Sequence, residues 1–327
     1  MKIMVTGGNG FIGSNFIEEM VLKYDYFVLN IDKKGSEKNL TNRLLNSKDK
    51  YIFLKRNLIS INNKETYKTI KSFNPNVIVH FAAETHVDYS IVKPREFLNS
   101  NINASFELLE FVRKHLNEVK IIHISTDEVY GSIKKGNFKE SSKYYPSSPY
   151  SASKAAVDHL FYSWNKTYNL KTIVTNCTNN FGPYQSNDKL IPRIITSIFH
   201  NISIPIYGKG DNERDWLFVQ DHVDAIHTVI KFGKIGQTYN IGTKNVLSNL
   251  DLTKMICNIV DKNLNRNTDS KKLIKFVEDR PGHDFRYSID PSLIKKQLGW
   301  VSKTNFKTAL THTVKWYLEN RNFLKKN

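Results

Sequence analysis

Short apolar runs alternate with amphipathic stretches through the first half of the chain. Lys2–Thr6, Tyr26–Ile31, Tyr51–Leu54, Val77–Phe81 and Lys120–Ser125 read as strands, nearly continuous in apolar residues. Phe11–Leu22, Lys64–Ser72 and Glu96–His115 fall between them with helical spacing. Strands that are apolar on both faces and alternate with helices predict a parallel sheet covered on both sides. Tyr150–Tyr168 then reads as a long helix and Lys171–Cys177 as a further strand. Beyond Gly182-Pro183 the elements become shorter and richer in Pro, Gly and Asn. The expected fold is α/β: a doubly wound parallel sheet with a smaller mixed α/β region. Residues 1–178 are assigned mainly to the first, with later segments returning to it, and residues 179–327 mainly to the second.

Composition narrows the class. A chain of 327 residues with 40% hydrophobic content can bury a sizeable core. No apolar run approaches the roughly 20 residues that span a bilayer, and the N-terminus runs straight into a glycine motif. A soluble cytoplasmic protein is expected, with its two cysteines reduced. The net charge of +17 is spread along the whole chain with no Lys/Arg run of five. It is read as solvated faces, and no nucleic-acid or membrane partner is expected. The histidines lack metal-ligand spacing, so no metal is expected.

Gly7-Gly8-Asn9-Gly10-Phe11-Ile12-Gly13 links the first strand to the first helix. Glycines there permit a tight turn and let the backbone approach a pyrophosphate, which the free N–H groups of the helix start then face. Asp32 ends the next strand, where its carboxylate would bind ribose hydroxyls and repel a 2′-phosphate. NAD is therefore expected over NADP, although Lys33 and Lys34 could soften the discrimination.

Tyr150 and Lys154 stand four apart, on one helical face. The ammonium should favour the phenolate and make Tyr150 a base. Thr126, Asp127 and Glu128 follow the last strand of the first half, at its carboxyl end, where ligands bind in such sheets. Paired carboxyls there could act as separate acid and base, or could cap a helix or line a solvated loop.

Several stretches occur together: Asn9-Gly10-Phe11-Ile12-Gly13-Ser14, Phe81-Ala82-Ala83-Glu84-Thr85-His86-Val87-Asp88 and Ser125-Thr126-Asp127-Glu128-Val129-Tyr130-Gly131. They are followed by Asn179-Asn180-Phe181-Gly182-Pro183-Tyr184, Arg214-Asp215-Trp216-Leu217, Tyr239-Asn240-Ile241-Gly242 and Asp279-Arg280-Pro281-Gly282-His283. Together they resemble the extended short-chain dehydrogenases, and among them the nucleotide-sugar 4,6-dehydratases. Nucleotide-sugar 4-epimerases share the fold and the Tyr/Lys pair but usually lack the paired acids. A non-enzymatic, basic Rossmann-like binding protein is the remaining alternative.

The resemblance implies a hydro-lyase of a deoxysugar (rhamnose-type) pathway. It would turn UDP-glucose or dTDP-glucose into the 4-keto-6-deoxy nucleotide plus water. Tyr150 would deprotonate the 4-hydroxyl as C4 is oxidised by NAD, Lys154 would hold the nicotinamide ribose, and Thr126 would bond the 4-oxygen. Glu128 would remove the C5 proton and Asp127 would protonate the departing 6-hydroxyl. Implied cofactor contacts are Gly7, Gly10, Phe11, Ile12, Gly13, Asp32, Lys33, Asn57, Leu58, Phe81, Ala82, Ala83, Ser100, Tyr150, Lys154 and Asn180. Implied substrate contacts are Thr85, Thr126, Asn179, Lys189, Leu190, Pro205, Ile206, Tyr207, Arg214, Asn249, Arg280 and His283. A homodimer is implied, pairing the Glu96–His115 and Tyr150–Tyr168 helices through Phe97, Phe106, Leu109, Val112, Val157, Leu160, Phe161 and Trp164.

Five positions depart from the dTDP-using pattern. Thr85 stands for Ser, Tyr89 for Arg, Thr243 for a second glycine, and Asn57-Leu58 for Asp-Ile. Thr85 and Thr243 resemble the UDP-using branch, so the expectation leans slightly to UDP-glucose.

Overall fold

The computed structural model describes residues 1–34, 40, 43–265 and 268–325. Its main sheet is built from β1 (Lys2–Thr6), β2 (Phe27–Asp32), β3 (Tyr51–Lys55), β4 (Val77–His80), β5 (Lys120–Thr126) and β6 (Thr172–Cys177). Two further strands, β7 (Asn179–Phe181) and β8 (Ile204–Tyr207), precede β9 (Glu213–Phe218) and β10 (Thr238–Ile241). The last are β11 (Val246–Ser248) and β12 (Ile274–Val277). The large sheet runs β10-β6-β5-β4-β1-β2-β3, and every pairing in it is parallel.

The twofold alternation of a strand explains its two-sided burial. Ile3 and Val5 enter one core with Phe16, Met20, Val223 and Ile226, beneath the Phe11–Leu22 and Val219–Phe232 helices. Met4 faces the other way, into a core with Leu108, Val112, Val157 and Phe161. Each fully buried aliphatic side chain contributes roughly 1.5–3 kcal/mol. Chain order reverses between β1 and β4, which opens the ligand crevice of such sheets at their carboxyl ends.

β10 and the Val219–Phe232 helix carry the second half of the chain back onto the large sheet. The remainder forms the β11-β9-β7 and β12-β8 sheets. These pack with the Leu190–Phe199, Asn249–Asn263 and Phe306–Glu319 helices around a third core. Among the described residues, no helix is long and apolar enough to cross a membrane.

The expected helix Glu96–His115 is interrupted. Pro94–Phe97 is one α-turn, Leu98–Asn103 widens to a π-helix, and Ala104–His115 resumes as α-helix. The widening coincides with Asn101, whose side chain leaves the helix to bond elsewhere. Its Nδ2 donates to Glu84 O (3.1 Å) and Ser153 Oγ (2.8 Å), and its Oδ1 accepts from Glu84 N (2.8 Å). The Pro149–Tyr168 helix begins on firm local chemistry. Pro149 occupies the first turn, and Ser148 and Ser151 exchange side-chain-to-backbone bonds as a capping box.

Candidate active site

The glycine turn is fixed by contact as well as by conformation. Gly7 has φ +73°, and a Cβ there would lie 2.6 Å from Ala82 Cα. A Cβ on Gly13 would lie 2.7 Å from Gly7 O. Gly10 caps the first helix without a side-chain bond, so no side chain competes for the N–H groups at that start. Asp32 accepts from Asn9 N (3.0 Å) and Lys34 N (2.9 Å), which holds its carboxylate beside the turn. Lys33 is taken by Glu84 (2.6 Å) and Ser100 Oγ (3.0 Å), so its charge is spent away from Asp32.

Phe81, Ala82 and Ala83 continue from β4 past this turn, Phe81 packing on Phe16. Phe11 O accepts from Ser14 Oγ and Asn15 Nδ2, while Ile12 leans on the first core. Asn180 Oδ1 bonds His222 Nδ1 at 2.8 Å. Asn57 accepts from Ile59 N to cap a short turn. The Leu58 side chain is buried in the second core, which leaves its backbone as the part of it open to a cofactor contact.

At the carboxyl end of β5 the three polar residues close on one another. Thr126 Oγ1 accepts from Glu128 N (3.3 Å) and lies 3.4 Å from Asp127 Oδ1. Asp127 is only 2% exposed, and its Oδ2 has no partner among the described residues. Burial, with the charges of Glu128 and Asp215, pushes its carboxyl well above the usual range. Glu128 is also raised by burial, but Arg214, Arg280 and Lys189 pull it back. Both carboxyls are raised, and Asp127, farther from its ordinary range, is the better placed of the two to act as an acid.

Tyr150 lies beside them, buried edge-on to Phe97. Burial and the Glu128 charge raise its phenol well above the ordinary value, while a bond with Thr126 opposes this. Lys154 does not neutralise that shift in the way its spacing suggests. Its Nζ donates to Ile124 O (2.8 Å) and contacts His123 Nε2 (3.2 Å), both on β5. Burial lowers it to about 8.

The opposite wall carries the cations. Arg214 is buried over the Tyr287 ring, 4.2 Å from its centroid, and donates to the carbonyls of Glu213, Asp284 and Phe285. Arg280 pairs with Asp88 at 2.9 Å, and Tyr207 donates to the same carboxylate. His283 bonds Asp279, and Lys189 bonds Thr85 O. Asn179 Oδ1, Asn249 Oδ1 and Arg280 Nε are buried without a partner among the described residues. Leu190 borders the third core and Ile206 is buried within it, while Pro205 pairs with Lys275 across the β12-β8 sheet.

A profile of the family described as GDP-mannose 4,6 dehydratase matches residues 4–313. A dTDP-glucose 4,6-dehydratase of Salmonella typhimurium is 42% identical over 98% of this chain and 93% of its own length. That of Haemophilus influenzae is 43% identical, covering 98% of each. The chain belongs to this dehydratase family. The crystal structure of dTDP-glucose 4,6-dehydratase from Bacillus anthracis in complex with NAD superposes with a TM-score of 0.88 at 39% identity, over 99% of this chain and all of that one. The Streptomyces venezuelae dTDP-glucose 4,6-dehydratase, with NAD and TYD bound, gives 0.90 at 36%, with the same coverage. A UDP-glucose 4-epimerase from Thermotoga maritima shares the fold, TM-score 0.86, but only 25% of the residues.

Three residues of this dehydratase site carried no signal in spacing. Asp88 anchors Arg280 from far away in the chain. Tyr287 holds its hydroxyl on Asp284 (2.6 Å) and 3.5 Å from Glu128 Oε2. Asp284 also takes Ser147 Oγ. Thr243 has a structural reason of its own: its N and Oγ1 both bond the buried Asp215 carboxylate, at 2.9 and 2.6 Å.

Proposed function

We propose that this chain is an NAD-dependent dTDP-glucose 4,6-dehydratase, acting in the cytoplasm in a deoxysugar pathway. The observation that carries the reaction is the carboxyl pair at the end of β5, where burial pushes Asp127 well up and the rise of Glu128 is partly offset by Arg214, Arg280 and Lys189. The glycine turn, Asp32 and Lys154 would hold NAD, which supplies the oxidant for C4 and returns the same electron pair at C6. Tyr150 takes the 4-hydroxyl proton with Thr126 on that oxygen. Glu128 takes the C5 proton, made acidic by the adjacent ketone. Asp127 gives its proton to the 6-hydroxyl, which leaves as water. Arg280 and Arg214 supply the positive charge for a diphosphate. Overall the sugar loses one water and no external reductant is consumed.

The thymidine nucleotide is preferred because the curated relatives act, by name, on dTDP-glucose. Of the departures that favoured uridine, Thr243 has its hydroxyl committed to Asp215, and the Thr85 carbonyl accepts from Lys189. The test is kcat/KM for dTDP-glucose and UDP-glucose under one set of conditions, using protein purified without added cofactor. A preference of about tenfold or more for dTDP-glucose is expected, near 1.4 kcal/mol. An equal preference for UDP-glucose would overturn the assignment of the base, and absence of any 4-keto-6-deoxy product would overturn the reaction.

A homodimer is proposed through the faces of Leu98–His115 and Pro149–Tyr168. Phe97, Leu109, Val112, Val157 and Phe161 are spent in the monomer core. Leu98, Phe106 and Tyr162 stand 48%, 41% and 57% exposed, with Phe106 edge-on to Trp164 and Leu160 only partly covered. Light scattering at micromolar concentration should give twice the 37.9 kDa chain mass. A monomer mass would refute it.

A further inference from the structure

Behind Lys154, away from the crevice, lies a buried polar cluster that the reaction does not use directly. His123 Nε2 lies 3.2 Å from Lys154 Nζ and 3.3 Å from Asp158 Oδ1, so one ring nitrogen faces both charges. The ring packs against Phe161 (4.6 Å between centroids) and His80 (5.2 Å), which also stack on each other at 5.9 Å. His80 is itself fixed by Thr6 and Ser105. Asp158 Oδ2 accepts from Asn176 Nδ2 at 3.3 Å, while its Oδ1 has no hydrogen-bond partner among the described residues. Lys154 and Asp158 are one helical turn apart on the same helix, and both are buried.

A buried ammonium is stable only when paired and fully bonded. Ile124 O satisfies one N–H and a neutral His123 Nε2 a second. Asp158 supplies the compensating charge. We propose that His123 and Asp158 are positioning residues that keep Lys154 charged and fixed against β5, and so set the alkaline limit of turnover. The groups facing Lys154 fit this. Asp158 and Cys177 raise its affinity for the proton against the burial that lowers it to about 8. His80 and His123 are held neutral by burial and by Lys154 itself. Asp158 is raised to about 6. Lysine and carboxylate are therefore both charged between roughly pH 6 and 8. Asn at 158 would remove the negative charge, so the Lys154 proton would leave at lower pH.

The proposal rests on Lys154 serving the dehydratase reaction, and two readouts separate the two ideas. Titration of Lys154 Nζ in lysine-labelled protein, assigned with Lys154→Arg, reports its charge without turnover. The pH profile of kcat reports its use. In Asp158→Asn both midpoints should fall by about 1 unit or more, with KM for the sugar nucleotide unchanged within about twofold, since neither residue lines the crevice. His123→Leu should do the same. His123→Gln, which keeps an acceptor, should restore the wild-type limb. Should Asp158→Asn fail to fold, the Leu/Gln contrast at 123 carries the test. Wild-type midpoints in folded Asp158→Asn or His123→Leu would overturn the proposal. A shifted Nζ titration with an unshifted kcat profile would overturn only its link to turnover.

Discussion

Glu128→Gln should bind NAD and sugar nucleotide and yet release no product, with kcat reduced roughly 10²–10⁴-fold. The amide keeps the size of the side chain and can still meet Tyr287 across 3.5 Å. What it loses is the ability to accept a proton. Burial raises the Glu128 carboxyl, and Arg214, Arg280 and Lys189 offset part of that rise; an amide cannot respond to them. Tyr150 and Lys154 are untouched, so oxidation at C4 should proceed and the absorbance of the reduced cofactor should build up on mixing with substrate. Solvent deuterium should enter C5 with the wild-type protein and not with the variant. Equal incorporation in both would remove Glu128 from the role of base.

Tyr150→Phe should cost a comparable 10²–10⁴-fold, roughly, but at the earlier step. The ring packs against Phe97 and its loss of one oxygen leaves that contact intact, so the fold and cofactor binding should survive. The phenol is raised well above its ordinary value in the protein alone. Without the oxygen, the 4-hydroxyl proton has no acceptor. Neither the reduced-cofactor absorbance nor C5 exchange should appear, which separates this variant from Glu128→Gln. A reduced-cofactor signal at the wild-type rate would show that another group takes the proton.

Much of this was legible in the chain itself. Largely apolar strands such as β1 and β4 called for burial on both faces, and the glycine turn followed by Asp32 at the end of β2 announced a dinucleotide crevice. The Thr126-Asp127-Glu128 run and the Tyr150/Lys154 spacing marked the chemistry, because local sequence decides which residues share a strand end or a helical face. Sequence spacing could not tell which way a side chain turns once neighbours compete for it. Leu58 and Ile206 lie within runs that contact ligands in the family, yet their side chains are drawn into the cores. The Glu96–His115 periodicity continued through a turn that Asn101 widens by bonding residues 17 and 52 positions away. Lys154 was read as Tyr150's partner, but the nearest acceptors of its ammonium come from β5, brought alongside only when β5 and the Pro149–Tyr168 helix pack. The Asp88–Arg280 pair, 192 positions apart, has no local signature at all. Periodicity and turn chemistry are short-range and survive in one dimension. The pairing of buried charges and the protonation of Asp127 depend on distances and desolvation that exist only after the chain has closed on itself.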